Sequence, residues 1–269
     1  MTQTERLTFL IKYLMNENKA LKSFHGMNFF HIPVEENARK RLLRALMNIR
    51  PPEPVTKEFL NIQDEYLQEE NTEKGIVSLA DIPFVNPGIY LWQGDITRLS
   101  VDAIVNAANS AMLGCFVPCH GCIDNAIHSA AGIELRLECS RIMKENHSMK
   151  KQKIKEPAGK AKITKAYNLP CRYVLHTVGP IIYGEVTQRD CDLLSDCYRS
   201  CLELAAEYQL KSIAFCCIST GEFHFPNETA AEIAIRTIKD YQKKNTSGLE
   251  VIFNVFKDCD YKIYKQLLG

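Results

Sequence analysis

Three observations predict that this sequence forms an α/β fold, with a mixed and largely parallel sheet between helices. From Gly88 onward, short apolar runs alternate with longer segments of helical spacing, the pattern of strands joined by crossover helices. One of those runs, SIAFCCIS from Ser212 to Ser219, is almost wholly apolar, as a strand covered on both faces must be. The first 74 residues carry a single glycine and place Leu7, Leu10, Ile11 and Leu14 at helical spacing, so a helical extension precedes the α/β part.

The extension, residues 1–74, is expected to hold two or three helices, interrupted at RPPEPVT (Arg50 to Thr56) because prolines cannot continue a helix. The α/β domain is expected over 75–269. Its first strands are GIYLWQG and AIVNAA, followed by a helix from Asp124 to about Asn146 and two more strands, AKITKAY and RYVLHTVG. The next helix runs from about Arg189 to Tyr208, with Leu194, Cys197, Tyr198, Cys201, Leu202 and Ala205 forming one apolar stripe. After SIAFCCIS come a helix from about Asn227 to Lys243, a strand LEVIFNVF and a terminal helix DYKIYKQLL. Ligands of such sheets lie beyond the carboxyl ends of the strands.

Composition excludes several functions. The 269 residues are 46% hydrophobic, enough for one good core with an added segment, and 33 Lys+Arg against 32 Asp+Glu leave a net charge of +1. No global field draws the chain to nucleic acid or anionic membrane, and no basic-aromatic interleaving suggests an RNA reader. Glu5, Arg6 and Lys12 break the apolar residues of the N-terminus, so a signal peptide is not expected, and no stretch is apolar enough to span a bilayer. A cytoplasmic location follows as the expectation. Its thiol pool would keep the eleven cysteines reduced. Cys197, Cys201, Cys216 and Cys217 sit in apolar patterns and read as small buried hydrophobes.

Three strand-end loops stand out: QGDIT from Gln93 to Thr97, NAANSAMLGCFVPCHGCIDNAIH after AIV, and STGEFHFP from Ser219 to Pro226. The first alone is an ordinary Gly-Asp turn, and the last is a turn leading to a helix N-terminus that presents amides to an anion. Together and in order, GDIT, VDAIVNAANS, DNAIHSAAG, YVLHTVGP and ISTGEFHFP resemble the macrodomain family of ADP-ribose-binding modules. The resemblance implies a three-layer αβα sandwich with ADP-ribose across the strand ends. It implies that Asp95 accepts from the adenine amino group with Ile96 beside it, and that the backbone of Ser219, Thr220, Gly221, Glu222 and Phe223 holds the diphosphate. Phe223 would pack near the distal ribose and Asn109 would contact its hydroxyls, with Ile123, Asp124 and Asn125 close by.

Where ordinary macrodomains carry glycines before the helix, this chain has CFVPCHGC. That insertion, the STGEFHFP loop and the helical extension resemble the microbial zinc-dependent macrodomain subgroup. Members of that subgroup are associated with a sirtuin-like ADP-ribosyltransferase and a lipoyl carrier resembling glycine cleavage H protein. The implied activity is zinc-dependent removal of mono-ADP-ribose from an Asp- or Glu-linked protein, that carrier being the implied partner.

Zinc takes thiolate and imidazole donors around a tetrahedron, and this stretch offers Cys115, Cys119, His120 and Cys122. Cys115, Cys119 and Cys122 fit helical spacing, yet Gly114, Pro118 and Gly121 oppose a helix there. In an extended loop His120 and Cys122 share a side and Cys119 points away. The expected ligands are therefore Cys115, His120 and Cys122, the set that the subgroup resemblance also supports, leaving a fourth position open as in catalytic zinc sites. A closed four-ligand site including Cys119 is the competing arrangement. Asp124 is either a catalytic base or, in the more ordinary role, the cap of the helix starting there. Glu222 and His224 would orient water or substrate, or face solvent. His128 reads as a packed helix residue. Rival functions are an ADP-ribose reader with a structural zinc and a hydrolase of small ADP-ribose derivatives.

Overall fold

The computed structural model describes residues 1–17, 31–145, 155–245 and 248–269. Three helices open the chain: α1 (Gln3–Glu17), α2 (Glu36–Ile49) and α3 (Lys57–Glu73). RPPEPVT forms the irregular connection between α2 and α3, as its prolines require. Thr56 ends that connection as the cap of α3, its side chain accepting from the Phe59 amide. Leu7, Leu10, Ile11 and Leu14 pack with Leu43, Leu46, Phe59 and Tyr66 into a core of their own, which Ile133 of the α/β part completes.

The α/β part begins with β1 (Val77–Ser78), β2 (Phe84–Asn86), β3 (Ile89–Gln93), β4 (Leu99–Ser100) and β5 (Ala103–Ala107). Then follow α4 (Ile123–Ala131), α5 (Ile133–Glu145), β6 (Ala161–Lys165), β7 (Tyr173–Thr177) and α6 (Gln188–Glu207). The chain closes with β8 (Ser212–Phe215), α7 (Asn227–Lys244), β9 (Glu250–Val255) and α8 (Asp258–Leu268). The main sheet has the order β2-β3-β9-β8-β5-β7-β6. Its five inner strands are parallel, and β2 and β6 add antiparallel edges. Helices flank this mixed sheet: α4 and α5 meet β5 and β6, while α6, α7 and α8 pack in series. Among the described residues, no helix is long and apolar enough to cross a membrane.

Two expected elements differ from the sequence reading. The single helix expected after Asp124 is two, broken at Gly132, whose φ is +95° and where a Cβ would fall 2.6 Å from Gln63 Nε2. Gln63 of α3 occupies the break and accepts from the Ile133 amide (2.9 Å), so the docked extension sets the bend. The strand expected over Ser212 to Ser219 stops at Phe215, because the chain leaves the sheet to build a turn in which Ser219 has φ +66°. The same departure shapes the cleft. β5 and β8 pair only at Ala103–Ile213 and Ile104–Ala214, and beyond those pairs their loops diverge. Strand order reverses at this point, with β7 on one side of β5 and β8 on the other, the position where open α/β sheets place ligands.

Candidate active site

Loops from β3, β5, β7 and β8 gather at the carboxyl edge of the sheet. After β3, Asp95 caps a short 3₁₀ turn. Its Oδ1 accepts from the Thr97 amide (3.0 Å) and hydroxyl (2.7 Å), and Ile96 is buried beneath. After β8, residues 216–226 close on themselves. The Phe225 amide donates to Ser219 O (3.0 Å), the His224 amide to Gly221 O (3.1 Å) and the Thr220 hydroxyl to Cys217 O (3.0 Å). Ser219 and His224 both adopt positive φ, and α7 then starts without a side-chain cap. The Ser219 hydroxyl is buried with no protein partner, a cost that a ligand acceptor in the loop would remove. Gly179, after β7, lies against this loop so closely that a Cβ would fall 1.9 Å from Ser219 Oγ. Phe223 packs on Ala108, Met112, Met143 and Val178, tying the β8 loop to the β5 loop.

The loop after β5 is held from inside the sheet. Asn106, a polar residue within the apolar run AIVNAA, donates through Nδ2 to Asp124 Oδ1 at 2.8 Å. Asn109 Nδ2 donates to Gly114 O (3.1 Å) and to Asp124 Oδ2 (3.2 Å), while its Oδ1 accepts from the Ala111 amide. Asp124 is therefore not the helix cap. Cys122 holds that position, its Sγ accepting from the Asn125 amide, because the helix begins two residues earlier than the Asp-capped reading requires. Burial pushes the Asp124 carboxyl up to about 6, partly offset by Asn106, Arg136 and Asn109. Asn125 is fully buried and donates to Val117 O at 2.9 Å, so its side chain faces the inside of the loop. Ile123 stays half-buried at the helix start.

Cys115 Sγ, Cys122 Sγ and a ring nitrogen of His120 all lie within 4.8 Å of one another. A tetrahedral zinc asks its donors to stand about 3–4 Å apart, so a small contraction would suffice. His120 Nδ1 is buried with no partner, and Nε2 lies 3.7 Å from Glu222 Oε1 across the cleft. A carboxylate behind the imidazole is a common second partner of a metal-bound histidine. Burial, with Cys115 and Asp124 nearby, pushes the Cys122 thiol up to about 12, and a bound dication would reverse that balance. Donor chemistry, proximity and the orphaned nitrogen all fit zinc. Cys119 stands apart, in a left-handed conformation (φ +51°) with its Sγ 3.3 Å from Arg41 O.

A second cluster, His128, Cys139 and His176, is wholly buried. Asn106 Nδ2 is an obligate donor to His176 Nδ1 (3.1 Å), so Nε2 carries the hydrogen toward Thr164 Oγ1 (2.9 Å). His176 thus has no lone pair left for a metal. His128 packs at the base of the loop, beneath Gly114. The sequence reading overlooked Asn106 and Arg136. An amide inside an apolar strand and a guanidinium between Leu135 and Cys139 were the available signals.

A family model described as "Macro domain" matches residues 105–234. A "Protein-ADP-ribose hydrolase" of Treponema medium is 56% identical over the full length of both chains. A protein of the same name from Staphylococcus aureus strain Mu50 is 49% identical over 96% of this chain and 95% of its own. The Trypanosoma brucei macrodomain solved in complex with ADP-ribose superposes with a TM-score of 0.64 and 31% identity, covering 84% of this chain and 95% of that one. With the strand order, the cleft at the β5/β8 divergence and a relative matched end to end, the chain belongs to the macrodomain family.

Proposed function

We propose that this protein is a zinc-dependent hydrolase that releases ADP-ribose from mono-ADP-ribosylated protein. The observation that carries the reading is the Cys115–His120–Cys122 donor set, with its orphaned His120 Nδ1, at the start of the helix whose Asp124 holds Asn109. The hydrolase name of relatives matched over nearly the whole chain supports the reaction class. When bound, zinc supplies a Lewis acid that lowers the pKa of a water or polarises the scissile bond.

The chain's own residues bind and orient. Asp95 engages Thr97 through Oδ1, so Oδ2 is the oxygen we assign to the adenine amino group, with Ile96 beneath the base. The amides of Ser219 to Phe223 take the diphosphate, and the Ser219 hydroxyl gains the partner it lacks in the protein. This anchoring supplies the binding energy that fixes the reacting end. Phe223 borders the distal ribose and Asn109, held by Asp124, meets its hydroxyls. Asp124 acts here as the anchor of Asn109, with both carboxylate oxygens taken by amides. Glu222 steadies His120 from across the cleft. Water is consumed, and the products are ADP-ribose and a free carboxylate, which we take to be an Asp or Glu side chain, formerly the ester, on a carrier protein of the lipoyl type, as the subgroup resemblance implies.

The test compares ADP-ribose release from a mono-ADP-ribosylated protein by the wild type, the chelator-stripped protein and Cys122→Ala. Loss in the latter two, with recovery of the stripped protein on adding zinc, is expected. Equal rates with metal demonstrably absent would refute the zinc reading. Tight ADP-ribose binding without any release would make the protein a reader.

A further inference from the structure

We propose that α2 of the N-terminal extension is a working part of the metal centre, with Arg44 as the residue that positions the ligand loop. The inference rests on the zinc reading of Cys115, His120 and Cys122. Arg41, Arg44 and Asn48 recur at i, i+3 and i+7, so they share one face of α2. Each engages the loop. Arg44 donates from Nε and Nη2 to Asn125 Oδ1 (3.0 and 2.7 Å) and from Nη2 to the His120 carbonyl (3.0 Å). Asn48 Oδ1 accepts from the Cys119 amide (2.9 Å), and its Nδ2 donates to Ser129 on α4 (3.0 Å). The Arg41 carbonyl faces Cys119 Sγ.

The loop needs this support. Cys119 sits at φ +51°, a conformation that costs an ordinary residue roughly 1 kcal/mol. That turn sends the Cys119 thiol away from the cleft, and the next residue carries the imidazole. Arg44 fixes the backbone of that residue and, through Asn125, the first turn of the helix that Cys122 caps. Its planar fork thus joins two of the three ligands, a geometry that a lysine's point charge cannot reproduce. From the other side, Arg136 Nη1 caps the carboxyl end of α2 at the Met47, Asn48 and Arg50 carbonyls while its Nε holds the Leu113 carbonyl. The loop is therefore gripped between α2 and α5. Partners behind the ligands commonly set metal affinity by about 10–100-fold.

The experiment uses the full chain with Arg44→Ala, Arg44→Lys and, as a control on the same helix, Lys40→Ala, which breaks the α2–α3 ion pair with Glu70. Zinc-loaded proteins are challenged with a chelator and metal release is timed; hydrogen exchange at Cys119 and His120 is measured on the zinc-free proteins. Arg44→Ala is expected to release zinc at least about tenfold faster, with faster exchange at both amides. Arg44→Lys falls between it and the wild type, and Lys40→Ala behaves as wild type. Release and exchange unchanged in Arg44→Ala, or changed equally in Lys40→Ala, would overturn the proposal. A wild type that takes up no zinc would refute the metal reading alone, because loop exchange in the zinc-free Arg44 variants still decides whether α2 holds the loop.

Discussion

Asn106 Nδ2 lies 2.8 Å from Asp124 Oδ1, so a side chain in the middle of a central strand fixes the carboxylate at the start of the helix above it. Asn109 takes the other oxygen. Replacing Asp124 with Asn leaves one acceptor for two amide donors and turns an NH₂ toward the other. Asp124→Asn is expected to cost about 1–3 kcal/mol in urea denaturation and to slow ADP-ribose release by loosening Asn109. A variant as stable as the parent would show that the carboxylate does not serve both amides.

The two arrangements considered for the metal make opposite predictions at one cysteine. With its thiol on the Arg41 carbonyl rather than in the donor set, Cys119→Ala should keep stoichiometric zinc by elemental analysis. Cys115→Ala and Cys122→Ala should lose it. Zinc lost from Cys119→Ala would restore the closed four-ligand site.

Gly179 tests the diphosphate loop without replacing any residue assigned to it. An Ala Cβ there would overlap Ser219 Oγ at 1.9 Å and crowd Ile218 Cγ2 at 3.0 Å. The loop must shift, and misplacement of about 1 Å can cost 100-fold in a positioned reaction. Gly179→Ala should weaken ADP-ribose binding at least about tenfold by calorimetry. Unaltered affinity would mean that this turn does not hold the diphosphate.

Acid should destabilise the fold through its buried imidazoles. Burial lowers His176 to about 3, and His128 moves in the same direction for the same reason. Above pH 6.5 each is neutral whether the chain is folded or not, and the stability is fully present. Below that value the unfolded chain takes up protons that the folded one refuses, so His176 removes about 1.4 kcal/mol per pH unit as pH falls toward 3, and His128 acts in the same direction. Urea midpoints at pH 7, 6 and 5 should therefore fall less steeply for His176→Gln, whose amide can still serve Asn106 and Thr164. Parallel slopes would contradict the assignment.

Much of this architecture was legible in the sequence because period and loop chemistry are local signals. SIAFCCIS announced a central strand, and the alternation within CHGC separated Cys119 from His120 and Cys122, although the chain achieves this by a left-handed turn rather than by extended backbone. What stayed hidden depends on partners distant in sequence. Gly132 breaks the helix because Gln63 arrives from α3. Nothing near Asp124 tells that Asn106 and Asn109 will bind it, and so a helix cap was the natural expectation. Arg44 and Asn48 read as ordinary members of an amphipathic helix until that helix is docked.

The grip of α2 and Arg136 on the loop also has a history in time. The bonds that α2 makes to the loop, to α4 and to Arg136 join residues 71 to 89 positions apart, from Asn48–Cys119 to Met47–Arg136, and closures of that span are slow steps of folding. The sheet needs longer closures still, Ile89 with Val251 and Ala103 with Ile213, so sheet and ligand loop both wait on partners remote in sequence. Any capacity of a refolding chain to retain a metal at this loop would thus return only once the N-terminal extension has docked, which makes a segment outside the donor set the timekeeper of its completion.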